Sequence, residues 1–476
     1  MTDDRVDREF ADRLSAYESR LPDAAPPAVD ASNRHRTRRL PLIGVGVLAA
    51  VAGVLAVAVL LNGMREDIGD ASPSPSPSAG AREPAASVTS EPSAPALSQS
   101  PSAASSPSEP TADLRWTEVA RFGSPDDAGA IRSIARHETG LVAVGVAYQG
   151  QLPILGPTPP HEGRVWLSAD GTSWEDATPA DTLENAELRF VIRTADGGLI
   201  AHGWAGVPDE ELGIGVPIAA TWESADGRSW TPSDQPFGDD MWPMAIAQGA
   251  QGSVATVLEP AGPTLSIWWS PDGRTWERVH DLGAEGGYSA GAGDEGFVIA
   301  GSQGAAQEPF AIASGDGREW VEAGTPPGVA VAVAPVGGDW LAVSRDATLV
   351  VGEPSEGDVW TSANGLDWST IGAYPLANEG PSGAACTEIP TSLFAAGPWL
   401  VSGTVLSFGC SEGGVQTMGA QLISLDGADW TALPFAAPAE EVGLGTRISG
   451  ALEVDGRLVL IGERDRIATI WVGEQP

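Results

Sequence analysis

The stretch S-A-D-G-T-S-W, from Ser168 to Trp174, recurs along the chain and decides its fold. Six copies share the pattern Ser-x-Asp/Asn-Gly-x-x-Trp, and the steps between their serines are 56, 46, 44, 48 and 62 residues. The copies begin at Ser168, Ser224, Ser270, Ser314, Ser362 and Ser424. A repeat of this length is typical of architectures built from blade-like units that pack on their neighbours.

The Asp-Gly or Asn-Gly pair in each copy predicts a tight turn between two strands. Glycine supplies the positive φ that such turns need, and the preceding Asp or Asn can accept hydrogen bonds from turn amides. The tryptophan three residues later starts the return strand with a large apolar anchor. We therefore predict structural roles for Asp170, Asp226, Asp272, Asp316, Asn364, Asp426, Trp174, Trp230, Trp276, Trp320, Trp368 and Trp430.

This phrase resembles the Asp-box, or BNR repeat, of sialidase-like β-propellers, although the usual box has one residue between Asp and Gly. In that family the box lies on the hairpin between the third and fourth strands of a blade, so the resemblance implies a propeller fold. The box is structural in the family and occurs in proteins of unrelated function, so it implies no single activity. Each copy is called a box below.

Each repeat after residue 114 reads as four short strands, which is the pattern of a propeller blade. The last repeat stops after the run Ile467 to Val472, one strand short, whereas Leu114 to Ala120 reads as a fourth strand without a blade. The sequence therefore predicts an all-β, seven-bladed β-propeller over residues 114–476, with the last blade closed by the first strand. Such closure removes open sheet edges.

Three segments precede the predicted propeller. Residues 1–40 carry apolar side chains at helical spacing, from Val6 to Leu21, and predict a tail with a short amphipathic helix, although short isolated helices are marginal. Residues 41–62 begin with 21 uncharged residues, which is long enough for one transmembrane helix. Residues 63–113 are rich in Ser, Pro and Ala, cannot bury a core, and predict a disordered stalk.

Charge sets the expected orientation. Arg34, Arg36, Arg38 and Arg39 precede the apolar segment, whereas acids dominate directly after it. The positive-inside rule then places the N-terminus in the cytoplasm and the propeller outside the cell, anchored to the membrane through residues 41–62. In this arrangement the N-terminal helix could dock onto a cytoplasmic partner.

The propeller region is strongly acidic. It holds 16 arginines, no lysine and 49 acidic residues, a net charge of −33. Such a surface repels phosphate backbones and argues against a nucleic-acid partner. The five histidines show no zinc spacing, and no EF-hand spacing is present, so we predict neither a metal site nor a cofactor.

The two cysteines, Cys386 and Cys410, fall in predicted loops on one face of the sixth blade. In an oxidising compartment they predict a disulfide, and two unpaired thiols are the alternative.

Three arginines are the candidate ligand-binding residues. Arg132, Arg189 and Arg447 lie near the start of the inner strands of blades one, two and seven, which are neighbours in a closed ring. Gathered at the central mouth, their guanidinium groups would bind a glycan carboxylate or another anionic small molecule, because Arg pairs bidentately with such groups. The alternative is that each pairs with a nearby acid, such as Glu187, and serves only packing.

The favoured function is a membrane-anchored, extracytoplasmic binding or scaffold module for a glycan or envelope component. A divergent sialidase-like glycoside hydrolase is the alternative, and a transmembrane sensor is a weaker one. Sialidases carry a Phe/Tyr-Arg-Ile-Pro motif, whereas the matching strand here reads A-I-R-S around Arg132. We therefore assign no catalytic residue from the sequence. An arginine triad beside a Tyr–Glu pair in one pocket would favour the enzyme.

Overall fold

The computed structural model describes residues 111–476 with short gaps. The gaps are 125–126, 151–159, 181, 210–213, 239–240, 260–263, 285, 305–307, 325–326, 346–356, 375–386, 404, 409–416, 419–420 and 436–444. The predicted tail, the membrane span 41–62, residues 63–110 of the stalk, and both Cys386 and Cys410 lie outside the described residues. Among the described residues, no helix is long and apolar enough to cross a membrane.

The predicted all-β, seven-bladed propeller is confirmed. The chain enters with strand β1 (Arg115–Phe122) and then builds its blades in sequence order as antiparallel meanders. Blade one contains β2 (Gly129–His137), β3 (Gly140–Tyr148), β4 (His161–Ser168) and β5 (Glu175–Asp176). Blade two contains β6 (Ala186–Arg193), β7 (Leu199–Asp209), β8 (Ile214–Ser224) and β9 (Thr231–Ser233).

The next three blades repeat this order. Blade three contains β10 (Trp242–Gly249), β11 (Gly252–Glu259), β12 (Thr264–Ser270) and β13 (Glu277–Ala284). Blade four contains β14 (Gly286–Gly293), β15 (Gly296–Gln303), β16 (Glu308–Ser314) and β17 (Val321–Glu322). Blade five contains β18 (Val329–Val336), β19 (Asp339–Arg345), β20 (Gly357–Ser362) and β21 (Ser369–Tyr374).

Blade six is split into two hydrogen-bonded sheets. Its strands are β22 (Thr387–Pro390), β23 (Leu393–Ala396), β24 (Trp399–Ser402), β25 (Val405–Phe408), β26 (Thr417–Met418), β27 (Leu422–Ser424) and β28 (Trp430–Ala432). The order β23-β24-β27-β28 forms the four-stranded blade, and β22-β25-β26 forms a second sheet beyond a break in the first three strands.

The seventh blade joins the two ends of the described chain. Strands β29 (Thr446–Val454), β30 (Arg457–Arg464) and β31 (Ile467–Glu474) are completed by β1, which pairs antiparallel with β31 from Arg115↔Glu474 to Phe122↔Ala468. The closure expected from the sequence is therefore present.

The hydrophobic core lies between adjacent sheets. One cluster joins Val144 and Val165 of blade one to Leu188 and Trp222 of blade two, and all four side chains are buried. Burying side chains of this size stabilises the fold by about 1.5–3 kcal/mol each. The blades are thus held by face-to-face packing, while their inner strands are tied by single hydrogen bonds. For example, the amide of Val191 donates to Oγ of Ser133 at 3.1 Å.

Meander topology gives the propeller two faces. On one face, called the loop face below, the first strand of every blade begins and the second strand ends. The boxes join the third and fourth strands on the opposite face, which is called the box face below. Arg132 in β2 and Arg189 in β6 lie in the half of their strands nearer the loop face, as does Arg447 in β29.

The boxes form one repeated hydrogen-bonded turn. In the box of blade two, Oδ1 of Asp226 accepts from the amides of Arg228 and Ser229, both at 2.8 Å, and indole Nε1 of Trp230 donates to the carbonyl of Gly227 at 2.9 Å. The six box glycines have φ between 73° and 80°, and the preceding Asp or Asn does not share the positive φ. The carboxylate therefore acts as an acceptor for the turn amides.

Hydrogen bonding keeps the box carboxylates ionised. For three of them the largest cause of the lowered pKa is the hydrogen bond donated by the backbone amide three residues later. These pairs are Asp226 with Ser229, Asp316 with Glu319, and Asp426 with Asp429. For Asp170 the leading cause of the lowered pKa is the hydrogen bond from the Thr172 hydroxyl. For Asp272 burial alone would raise the pKa, but hydrogen bonds led by those from the amides of Thr275 and Arg274 lower it overall.

Candidate functional site

The inner strands of blades one and two each contain a β-bulge at an arginine. In β2 the pairing register shifts between Ile131 and Ser133, and in β6 it shifts between Leu188 and Phe190. The unpaired residues are Arg132 and Arg189. A bulge re-aims the side chain of its extra residue. The inner strands of blades three, five and seven also bulge, at Met244, Val331 and Ser449, so the bulge belongs to the repeat and the arginines are what distinguish blades one and two.

Glycines on the second strands lie opposite the bulges of blades one and two. Gly145 lies opposite Ile131, and a Cβ there would lie 2.0 Å from the carbonyl oxygen of Ala130. Gly203 lies opposite Leu188, and a Cβ there would lie 1.9 Å from the carbonyl oxygen of Glu187. Any side chain at these positions would have to displace the inner strand.

Arg132, Tyr148 and Glu187 form a buried cluster between blades one and two. Nε of Arg132 lies 3.3 Å from Oε1 of Glu187, and the Tyr148 hydroxyl donates to Oε2 of the same carboxylate at 3.2 Å. The side chains of Arg132 and Glu187 are 23% and 10% exposed. Glu187, which the sequence suggested only as a packing partner, therefore holds two functional groups of the neighbouring blade.

Burial and charge shift the pKa values of this cluster in a consistent way. Burial alone would lower the pKa of Arg132, but the charge of Glu187 raises it overall, with smaller contributions from Tyr148 and Glu463. Burial raises the pKa of the Tyr148 phenol, and the charge of Glu187 raises it further. Tyr148 is thus kept as a neutral hydrogen-bond donor near neutral pH.

Arg447 occupies a different register from the other two arginines. The bulge of β29 falls between Ile448 and Gly450, so its unpaired residue is Ser449, and Arg447 pairs across the strand with Glu463. Nη1 of Arg447 lies 3.3 Å from Oε1 of Glu463. The strand position that carries Arg447 in blade seven carries Glu187 in blade two.

Arg132 and Arg447 each form an ion pair, whereas Arg189 forms none with a described carboxylate. Among the described residues no acidic oxygen lies within 4.0 Å of its guanidinium, which stacks over the Trp204 ring at 4.5 Å from the centroid. Burial lowers the pKa of Arg189 more than Glu187 raises it. Trp204 in turn lies 5.9 Å from Trp242 of blade three, and both indoles are partly exposed.

These residues form one arc along the loop-face side of blades seven, one, two and three. The arc runs through Arg447, Glu463, Arg132, Tyr148, Glu187, Arg189, Trp204 and Trp242. Its first part is internally neutralised by two ion pairs. Its last part presents an uncompensated cation on an aromatic platform, which can bind an anion beside a flat or apolar group.

The arc contains residues that the sequence alone did not single out. Tyr148, Glu463, Trp204 and Trp242 became candidates only through contacts between blades. No sequence pattern marks the bulges: the second strand of blade four also contains V-I-A-G, at residues 298–301, yet it pairs with its inner strand without a register shift.

Metal ligands are not grouped in the described part of the chain, where no three or more His, Cys, Asp or Glu side chains could together hold an ion. His202 is buried and bonded to Thr221 through Nδ1 at 3.1 Å, so it belongs to the core of blade two.

No protein-family model and no curated protein sequence matches this chain. Solved structures that resemble it include an ulvan lyase, at 12% identity and TM-score 0.43, covering 75% of this chain and 96% of the lyase. An α-L-arabinofuranosidase of Fusarium graminearum matches at 11% identity and TM-score 0.37, covering 74% and 93%. An α-L-arabinanase of Penicillium chrysogenum matches at 13% identity and TM-score 0.32, covering 76% and 98%. The structural neighbours thus include glycoside hydrolases and lyases, and likeness of this degree says nothing about ligand or activity.

Proposed function

We propose that this protein is a membrane-anchored binding module whose propeller captures an anionic glycan, or a similar carboxylate ligand, outside the cell. The observation that carries the proposal is the pair Arg189–Trp204: a partly buried guanidinium that lies over an indole and forms no ion pair with a carboxylate of the described residues. A ligand carboxylate would neutralise that charge, and Trp242 extends the aromatic surface for the attached ring.

The other charged residues of the arc hold the strands beside Arg189 in place. Arg132 and Glu187 neutralise each other, and Arg447 and Glu463 do the same. These pairs fix the inner strands on either side of blade one, so Arg189 is held on a rigid element. Rigid placement favours binding because less conformational freedom is lost when the ligand arrives.

Binding of an oligoglucuronate to the full chain, measured by calorimetry, tests the proposal. Arg189→Ala should weaken binding by about tenfold or more, as expected when one partner of a charge-assisted contact is lost. Trp204→Ala should also weaken it. Arg193→Ala is the matched control, because Arg193 ends the same strand at the box face and pairs with Glu138 at 3.7 Å. Equal binding by Arg189→Ala and the unmodified chain would reject the proposal.

A sialidase-like glycoside hydrolase is the second candidate, and one observation favours it. Tyr148 and Glu187 form a hydrogen-bonded Tyr–Glu pair beside Arg132, which matches the residue types of a sialidase nucleophile pair. The raised pKa of Tyr148 works against its use as a nucleophile. Turnover of fluorogenic sialosides that disappears in Tyr148→Phe would establish this alternative.

A further inference from the structure

The box face carries a repeated ion pair at three consecutive blade boundaries. The residue after the box glycine is arginine in blades two, three and four, and each arginine contacts a glutamate of the preceding blade. The pairs are Arg228 with Glu175, Arg274 with Glu223, and Arg318 with Glu277. Arg318 also lies over the Trp269 ring, 4.0 Å from its centroid. At each of these three boundaries a guanidinium thus pairs with a carboxylate of the preceding blade.

The boundary between blades four and five lacks this ion pair, as does the boundary between blades five and six, where Ala428 follows the box glycine. Leu366 stands where the arginine stands in the three preceding boxes, and Val321 follows Trp320 where Glu277 follows Trp276. Val321 is 55% exposed. The box turn still packs closely, since a Cβ on Gly365 would lie 2.5 Å from Val298. What has changed is therefore the surface chemistry of the boundary and not its backbone.

A cleft of about 280 Å³ opens at this boundary. Phe297, Trp340, Val321 and Leu366 supply apolar lining, and two glutamates, Glu295 and Glu319, line it as well. Neither glutamate forms an ion pair with any described residue, and both are exposed. The cleft thus combines apolar lining with two glutamates that form no ion pair with a described residue, at the place where the boundary between blades three and four holds Arg318.

We propose that this cleft binds an arginine side chain of a basic polypeptide partner, flanked by an aliphatic residue. The guanidinium would lie between Glu295 and Glu319, and the aliphatic neighbour would cover Val321 and Leu366. Arginine suits such a place because its planar cation pairs with carboxylates while its stem and face pack on apolar groups. The net charge of −33 on residues 114–476 would attract a basic partner over a distance.

A fluorescein-labelled Gly-Leu-Arg-Leu-Gly peptide is the probe, titrated against the full chain by fluorescence anisotropy. The same peptide with citrulline in place of arginine keeps the shape and removes the charge. The arginine peptide should bind, and more weakly as salt rises, and the citrulline peptide should bind at least about fivefold more weakly. Equal binding of the two peptides, or binding of neither, would overturn the proposal.

Two sets of variants locate the binding. Glu295→Gln with Glu319→Gln removes the charge of the cleft and should weaken the arginine peptide by about fivefold or more. Leu366→Arg with Val321→Glu rebuilds the ion pair of the three preceding boundaries and should abolish peptide binding. The rebuilt chain should still bind oligoglucuronate, because Arg189 is untouched, so the two proposed sites can fail separately. Unchanged peptide affinity in the Gln pair would also overturn the proposal.

Discussion

Tyr148 ends the second strand of blade one, yet its hydroxyl bonds a carboxylate of blade two, Oε2 of Glu187, at 3.2 Å. The other carboxylate oxygen of Glu187 lies 3.3 Å from Nε of Arg132. One buried acid therefore joins two groups of a different blade. This makes Glu187 the residue on which the blade one–blade two side of the arc depends.

Removing Glu187 should cost far more stability than removing the Tyr148 hydroxyl. Glu187→Ala leaves the Arg132 cation largely buried and unpaired, so we expect a loss of about 3 kcal/mol in the free energy of unfolding. Tyr148→Phe removes one hydrogen bond and should cost about 1 kcal/mol. Glu474→Ala is the control, since its pair with Arg115 is exposed and should contribute less than about 1 kcal/mol. Urea unfolding measures all three, and equal losses would contradict this assignment.

Gly203 should not tolerate alanine. A Cβ there would lie 1.9 Å from the carbonyl oxygen of Glu187, so the inner strand must move and the Arg189 bulge must change. We expect Gly203→Ala to destabilise the fold by about 1–3 kcal/mol, as overpacked sites do, and to weaken oligoglucuronate binding. Gly372→Ala is the matched control, because nothing lies within 4 Å of its added Cβ and its φ is ordinary. A Gly203→Ala chain that melts like the Gly372→Ala chain would show that the strands are not so closely held.

The fold could be predicted because its determinants are local. Each box holds its turn through atoms only a few residues apart, such as Asp226 with the amides of Arg228 and Ser229. Repetition of that local chemistry reveals the blades, and the unpaired run at Leu114 reveals how the ring closes. None of this requires knowledge of which side chains meet across a blade boundary.

The candidate site could be predicted only in part, because it depends on register and on contacts between blades. Arg132 and Arg189 were placed on neighbouring inner strands from sequence alone. The sequence does not show which residue of an inner strand is the extra residue of the bulge. It therefore predicts the same strand position for Arg447 as for Arg132 and Arg189, although Ser449 is the bulge residue of blade seven. Trp204 could not be recognised because its importance comes from the Arg189 guanidinium above it.

Buried His202 should make the protein sensitive to acid. Burial lowers its pKa from 6.5 to about 3, and its Nε2 has no hydrogen-bond partner among the described residues. As pH falls below 6.5, the unfolded chain takes up a proton at this site before the folded chain does. The contribution of His202 to stability should therefore fall by about 1.4 kcal/mol per pH unit until about pH 3.

His202→Asn isolates this effect, because Asn can keep the bond to Thr221 and has no titrating group in this range. The variant should lose less stability than the unmodified chain between pH 7 and pH 4.5, as measured by urea unfolding. Parallel pH profiles for the two chains would show that His202 is not the titrating group. The ionised box carboxylates act at lower pH and are common to both chains.

The box aspartates should depend on their acceptor oxygen more than on their charge. Blade five already uses Asn364, whose Oδ1 accepts from the amides of Leu366 and Asp367, both at 2.9 Å. Asp226→Asn should therefore keep the turn and cost less than Asp226→Ala at pH 7, although the lowered pKa of Asp226 shows that the turn favours the ionised carboxylate. Asp226→Ala leaves both turn amides without their acceptor and should cost about 1–2 kcal/mol. Thermal unfolding distinguishes the two, and equal destabilisation by Asn and Ala would show that charge is what matters.

Closure by β1 should be essential for cooperative folding. Strand β1 covers the edge of β31, Leu114 is buried with Trp471 in the same core cluster, and the Trp399 indole of blade six donates to the carbonyl of Thr111 at 3.0 Å. A chain beginning at residue 123 exposes the whole edge of β31, and exposed edges pair with other chains. We expect it to aggregate or to unfold without a single transition, whereas a chain beginning at residue 111 should melt cooperatively as a monomer. Light scattering and calorimetry compare the two, and matching transitions would mean that six blades and an open seventh are enough to hold the ring.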